Sequence, residues 1–251
     1  MRRVVKIGSS TTFKADGSIN SERLSRIGMG IRALWDHGDE LVVVTSGAAA
    51  AGRARVSSGA PRSVVAAVGQ LDLMAAYREA LDPLLTAPLL IDQHHFNTPS
   101  AAMALATIIH QLWRQGILPV LNENDALSSG ADRIGDNDTL AALLAGMVQA
   151  NQLVLLSDVD GLYSANPALN PDATRIAVVP CVMGEHYTQF GSGEPGPLGS
   201  GGILSKIRAA HMAQNFGIET LLCSGSSATV FDDLQEGRSE GFTRFAAQKE
   251  A

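Results

Sequence analysis

Two lysines, Lys6 and Lys206, stand near opposite ends of the 251-residue chain, each beside glycines and serines: VVKIGSS (residues 4–10) and LGSGGILSK (residues 198–206). Between them lie VTSGAAAAG (residues 44–52) and a concentration of acids and amides, LNENDAL followed by RIGDND (residues 121–127 and 133–138). Small residues at a strand-to-helix boundary let backbone N–H groups approach an anion, because no side chain blocks them. A fold that brings both lysines to one cleft would clamp a transferring phosphoryl group. The chemistry these residues suggest is therefore phosphoryl transfer.

Each island also has a purely structural reading. Lys6 ends an apolar run and precedes Gly8, Ser9 and Ser10; such a lysine either serves an anion or snorkels to solvent. The chain contains no G-x-x-x-x-G-K-[ST], and no G-x-G-x-x-G follows its first strand, which disfavours the P-loop and dinucleotide-binding classes. Ser46 and Gly47 open a run of small residues that either admits a substrate carboxylate to backbone N–H groups or permits close helix-to-strand packing. Glu123, Asp125, Asp136 and Asp138, interspersed with Asn122, Asn124 and Asn137, can hold Mg²⁺, receive an ammonium group, orient lysines, or form a solvated acidic loop.

In GSGGILSK, a loop lacking side chains at Gly199, Gly201 and Gly202 can fold over a triphosphate and deliver Lys206 in the first turn of a helix. Residues 191–202 are expected to move as a lid. Ser157 and Asp158, followed by Gly161, Leu162 and Tyr163, either contact a nucleotide base or ribose or make an ordinary turn. No histidine lies in the four islands. A hydroxyl acceptor would want a general base, whereas a carboxylate with a pKa of about 4.3 is already ionised at neutral pH, so the pattern favours an acyl phosphate product. Asp92, His94 and His95 lack a second ligand pair at helical spacing, and no metal site is expected there.

The elements that must position these groups alternate. Strands are expected over residues 3–7, 40–44, 88–91, 118–121, 152–156 and 218–223. Helices are expected from a Ser21 N-cap to Gly38, and over residues 63–81, 101–114, 139–150 and 203–216. Such alternation implies an α/β fold with a mainly parallel sheet covered on both faces, with ligands beyond the C-terminal strand ends. The polar islands after Ile7, Val44, Leu121 and Leu156 all fall there. One continuous domain, residues 1–251, fits the length and the absence of a linker-like stretch. A net charge of −6 without a dense Lys/Arg run argues against nucleic acid. Cys181 and Cys223 form no CxxC, and no apolar stretch of about 20 residues occurs, so a soluble cytoplasmic protein without membrane association is expected.

The order and spacing of VVKIGSS, VTSGAAAAGR, AAVGQ, LPVLNENDAL, GDNDTLAALLA, LLSDVDGLYSANP and GSGGILSKIRAA resemble the amino acid kinase family, and within it the glutamate 5-kinases. The resemblance spans nearly the whole chain. It implies a three-layer sandwich with an open, mainly parallel sheet, assembled as dimers or tetramers. It also implies ATP- and Mg²⁺-dependent phosphorylation of the L-glutamate side-chain carboxylate, the first step towards proline. By the same resemblance Lys6 and Lys206 stabilise the transferring phosphoryl group and Asp138 holds both. Ser46, Gly47, Asp125 and Asn137 bind the amino acid, with Asp136 nearby. Lys6, Gly8, Ser157, Asp158 and the stretch Ser200, Gly201, Gly202, Ile203, Leu204, Ser205 and Lys206 bind ATP, and no side chain is assigned as a dedicated metal ligand.

Three departures from the family pattern stand out. The further C-terminal domain resembling RNA-modification modules that many members carry is not expected here. Residues 89–111 do not match the usual polar segment, which bears on assembly, feedback by proline and choice of acceptor. EGRSEGFTRF follows the usual ending only loosely. Two other readings stay open: a kinase of this fold acting on another carboxylate, and a catalytically silent amino-acid or nucleotide sensor. A nucleoside monophosphate acceptor would call for more cations than the islands hold.

Overall fold

The computed structural model describes residues 1–128, 134–167, 169–190, 202–238 and 241–248. In chain order these form β1 (Arg2–Ile7), α1 (Ser9–Thr12), α2 (Ser21–Asp36), β2 (Glu40–Val44), α3 (Ala48–Gly52), α4 (Arg62–Leu81), β3 (Thr86–Ile91), α5 (His94–Asn97), α6 (Pro99–Arg114) and β4 (Leu118–Glu123). There follow α7 (Asn137–Met147), β5 (Gln152–Ser157), β6 (Leu162–Tyr163), β7 (Arg175–Ile176), β8 (Val178–Val179), α8 (Gly184–Phe190), α9 (Ile203–Asn215), β9 (Glu219–Ser224), α10 (Val230–Glu236) and β10 (Thr243–Phe245).

The main sheet has the order β3-β4-β2-β1-β5-β9-β10-β8. Its six long strands are parallel throughout; β10 returns antiparallel to β9 with β8 beside it. The strands β6 and β7 form a separate antiparallel pair. Strand order turns back at β1, which has β2 on one side and β5 on the other, so the crevice beyond β1 is where a doubly wound sheet binds ligands.

Alternation along the strands builds two cores. Val4, Val42, Val44, Leu153 and Leu155 face α6, α7 and α9, while Val5, Ile7, Leu41, Val43, Val154 and Leu156 face α2, α3, α4 and α10. This is the expected three-layer arrangement. Lys6 follows Val4 at a spacing of two, so it faces α7 and α9.

Several helix starts differ from expectation for identifiable reasons. Asn20, not Ser21, caps α2, its side chain accepting from the Arg23 N–H at 3.1 Å. The helix expected from residue 101 begins at Pro99, since a proline at N1 loses no helical hydrogen bond. The helix expected from residue 139 begins at Asn137 because Asp136 caps it. The alanine-rich run packs against a helix as well as the core under the sheet: a Cβ on Gly69 of α4 would lie 2.0 Å from Ala48 O and 2.2 Å from Gly52 N of α3. Among the described residues no helix is long and apolar enough to cross a membrane.

Candidate active site

The site is organised from the first turn of α7. Asp136 Oδ1 accepts the Thr139 N–H at 2.8 Å and Asp136 Oδ2 accepts from Thr139 Oγ1 at 3.1 Å, which fixes where the helix begins. Two residues on, the Asp138 carboxylate is only 2 % exposed. Lys6 Nζ, from β1, lies 2.6 Å from its Oδ1, and Lys206 Nζ, from α9, lies 3.3 Å from its Oδ2. Ser205 Oγ donates to the same Oδ2 at 2.6 Å.

The lysines are each 7 % exposed, so one buried anion holds two buried cations. Burial by itself pushes the Asp138 carboxyl up. The charges of Lys6 and Lys206, with hydrogen bonds from Lys6 and Ser205, outweigh it and hold the group well below the usual carboxylate range. The arrangement suits a transferring phosphoryl group, whose negative charge would meet two pre-positioned ammonium groups at the topological switch point.

On the β5 side, the Gly8 N–H donates to Leu156 O at 3.0 Å. A Cβ at Gly8 would sit 3.1 Å from that carbonyl and 3.8 Å from Lys6 Nζ, so glycine keeps the floor beside the lysine open. Ser157 ends β5 and donates to Asp158 Oδ1 at 2.9 Å; Ser157 is buried and Asp158 exposed. Gly202 precedes α9 without any side-chain cap, leaving first-turn N–H groups for an anion. Ile203 and Leu204 pack against the core, so toward a ligand they offer backbone. Of the lid expected over residues 191–202, all but Gly202, Ser200 and Gly201 included, lies outside the described residues.

On the β2 and β4 side the groups are acids and amides. Ser46 is half-buried at the end of β2, and Gly47 has φ +105°, with Phe13 Cε2 2.3 Å from where a Cβ would be; both facts demand glycine. Asn137 Nδ2 donates to Thr45 O at 3.0 Å and to Asn122 Oδ1 at 3.2 Å, and Asn122 Nδ2 donates to Gln70 Oε1 at 2.9 Å. Glu123 Oε1 accepts the Ile134 N–H at 2.8 Å. Asp125 lies 3.6 Å from the exposed Arg62 guanidinium.

The structure thus brings together Lys6, Asp138, Ser205 and Lys206 in direct contact. Gly8, Ser157 and Gly202 lie on one flank, and Ser46, Gly47, Asp125 and Asn137 on the other. Asp136 stays out of the cluster, both its oxygens committed to the cap. Sequence reasoning missed Gln70, Thr45 and Arg62 as groups with a place in the site. AAVGQ was the signal for Gln70, but its contact with Asn122 spans 52 positions. His95 Nδ1 pairs with Asp92 Oδ1 at 2.8 Å, and among the described residues no three metal-ligating side chains converge.

Comparison with known proteins agrees with this fold. The model of the family described as "Amino acid kinase family" matches residues 1–224. A glutamate 5-kinase of Geobacter sulfurreducens is 35% identical over all of this chain and 69% of its own length. One of Streptococcus sanguinis is 36% identical over 99% of this chain and 69% of its own. Among solved structures, the carbamate kinase of Giardia lamblia bound to AMP-PNP superposes with a TM-score of 0.68 at 18% identity, covering 98% of each chain. An isopentenyl phosphate kinase does so with 0.71 at 19% identity, covering 98% of this chain and 100% of its own. With the family model spanning most of the chain and the curated relatives above a third identity, the chain belongs to the amino acid kinase family.

Proposed function

We propose that the chain acts as a glutamate 5-kinase, transferring the γ-phosphate of ATP to the side-chain carboxylate of L-glutamate to give L-glutamyl 5-phosphate, the first step towards proline. The observation that carries this reading is the single buried Asp138 carboxylate that draws Lys6 and Lys206 to one point, beside an acceptor flank built of acids and amides. A carboxylate oxygen attacks the γ-phosphorus, the bond to the β–γ bridging oxygen breaks, and ADP leaves. Lys6 and Lys206 neutralise charge on the transferring group and the leaving oxygen. The acceptor is ionised beforehand, so no residue need remove a proton.

The first turn of α9, Gly8, Ser157 and Asp158 would hold the nucleotide. Ser46, Gly47, Asp125 and Asn137 would hold the amino acid, Asp125 taking the ammonium group. Mg²⁺ would be ligated by phosphate oxygens and water, which suits a site whose described residues present no cage of acids; bound there, it would screen the phosphate charge.

We further assign the chain to the cytoplasm, as one catalytic domain in a homo-oligomer. Val64, Val68 and Leu71, 47, 40 and 77 % exposed, line one side of α4, whose other side is already core; an exposed apolar stripe of this kind belongs under cover. Sedimentation should show a dimer or larger that Leu71→Asp dissociates, and a monomeric wild type would overturn the assignment.

The test of function is an ATP- and Mg²⁺-dependent assay with hydroxylamine to trap acyl phosphate. L-glutamate is compared with aspartate, 2-aminoadipate, N-acetylglutamate and UMP. Hydroxamate from glutamate alone is expected. Turnover of another carboxylate in its place would move the acceptor, and none with any would favour a sensor.

A further inference from the structure

Gln70 touches none of the reacting groups, yet it terminates a buried chain of amides that ends in the acceptor flank. The polarity of that chain is set at one end. Thr45 O is a backbone carbonyl and can only accept, so the group facing it at 3.0 Å must be Asn137 Nδ2. The same Nδ2 supplies its second proton to Asn122 Oδ1 at 3.2 Å, which turns Asn122 Nδ2 towards Gln70 Oε1 at 2.9 Å. Asn122 is fully buried, which shields its amide from bulk solvent.

Every step therefore has one orientation, and its consequence falls on Asn137 Oδ1, which is buried and has no hydrogen-bond partner among the described residues. An acceptor left in this way calls for a donor. Among the groups of an L-α-amino dicarboxylate, both carboxylates only accept; the ammonium group alone donates.

We propose that Gln70 is a positioning residue for acceptor recognition: through Asn122 it locks Asn137 with Oδ1 presented to the ammonium group of the amino acid, making the site selective for an α-amino acid over the plain dicarboxylate. This inference rests on the glutamate reading of the same site. Removing the Gln70 acceptor frees Asn122 to rotate. Asn122 Oδ1 then leaves Asn137 Nδ2, and Asn137, held by Thr45 O alone, loses the second bond that fixes its amide plane, so Oδ1 is less well aimed at the substrate while the cluster of Lys6, Asp138 and Lys206 is untouched.

The test compares kcat/KM for L-glutamate and for glutarate, which keeps the reacting carboxylate and lacks the ammonium group, in wild type, Gln70→Met and Gln70→Glu. Gln70→Met removes the acceptor at similar length; Gln70→Glu keeps an oxygen towards Asn122. Expected is a wild type that prefers glutamate, a Gln70→Met variant whose preference over glutarate falls about tenfold with KM for ATP unchanged, and recovery of most of that preference in Gln70→Glu. Equal losses on both acceptors, or a shift in KM for ATP of the same size, would reduce Gln70 to packing and overturn the proposal. Should Gln70→Met fail to fold, the Asn122→Leu variant must show the same selective loss on glutamate, and an unchanged preference there overturns it equally. A wild type that forms no hydroxamate with glutamate while turning over another acceptor defeats the functional reading instead, a result these variants do not produce.

Discussion

Replacing Asp138 with Asn is the most direct test of the lysine cluster, because it keeps the shape of the side chain and deletes only its charge. At an effective dielectric of about 20, unit charges at the observed 2.6 and 3.3 Å attract with gross energies of about 6 and 5 kcal/mol. Desolvation offsets much of that, and removing one member of a buried pair costs about 3–5 kcal/mol net, since the remaining charge stays buried. Two cations share this one anion, so the upper end applies, and the melting temperature should fall by about 10–20 °C at neutral pH. Turnover should fall by at least about a hundredfold, because the ammonium groups repel and leave the geometry that meets the transferring phosphoryl group. The pH dependence carries its own sign. The Asp138 carboxyl is depressed in the folded protein, so the unfolded chain binds that proton more readily. Its stabilisation is complete above the unfolded value of about 4 and is lost as pH falls through the folded value. The gap in stability between wild type and Asp138→Asn should therefore be widest near neutrality and narrow in acid. Melting curves over pH 3–8, read by circular dichroism beside the hydroxamate assay, measure both. A variant that melts with the wild type at pH 7 and turns over at a comparable rate would refute the charge-clamp argument.

Lys6→Ala and Lys206→Ala should each lower turnover by about a hundredfold or more while the far-ultraviolet spectrum stays native, because each leaves Asp138 one cation and the transition state one donor short; near-normal rates in either remove that lysine from the reaction. Gly69→Ala would drive a methyl into Ala48 O and Gly52 N, costing about 1–3 kcal/mol in urea unfolding, and should raise KM for the acceptor as α3 shifts with Gly47; an unchanged midpoint would mean the two helices can part freely. Asp136→Ala removes a helix cap, so stability should drop by about 0.5–2 kcal/mol with kcat falling more than either KM, whereas a rise confined to KM for glutamate would make Asp136 a substrate ligand.

What was legible in the sequence was whatever depends on neighbours along the chain. The apolar run before it placed Lys6 at the end of a buried strand, and the run from Gly202 into α9 placed Lys206 in a first helical turn; both readings need only local periodicity and a guess that the strands are parallel. The short strands β6, β7, β8 and β10 carry two or three residues each, too few for any period to register, and their pairing is set by distant partners such as Thr243, whose hydroxyl accepts the Leu162 N–H at 2.7 Å. Asp136 shows the limit most clearly. In sequence it is one of four acids in NEND and GDND, chemically equivalent to Asp138 two positions on. The difference arises only when the helix begins. Asp136 lies just outside it, extended, with its oxygens turned to Thr139, while Asp138 lies inside, on the side that Lys6 reaches from β1 and Lys206 from α9. One carboxylate is thereby spent on defining where α7 starts and the other is aimed by that definition, so the chemistry at Asp138 depends on a residue that need touch no reactant.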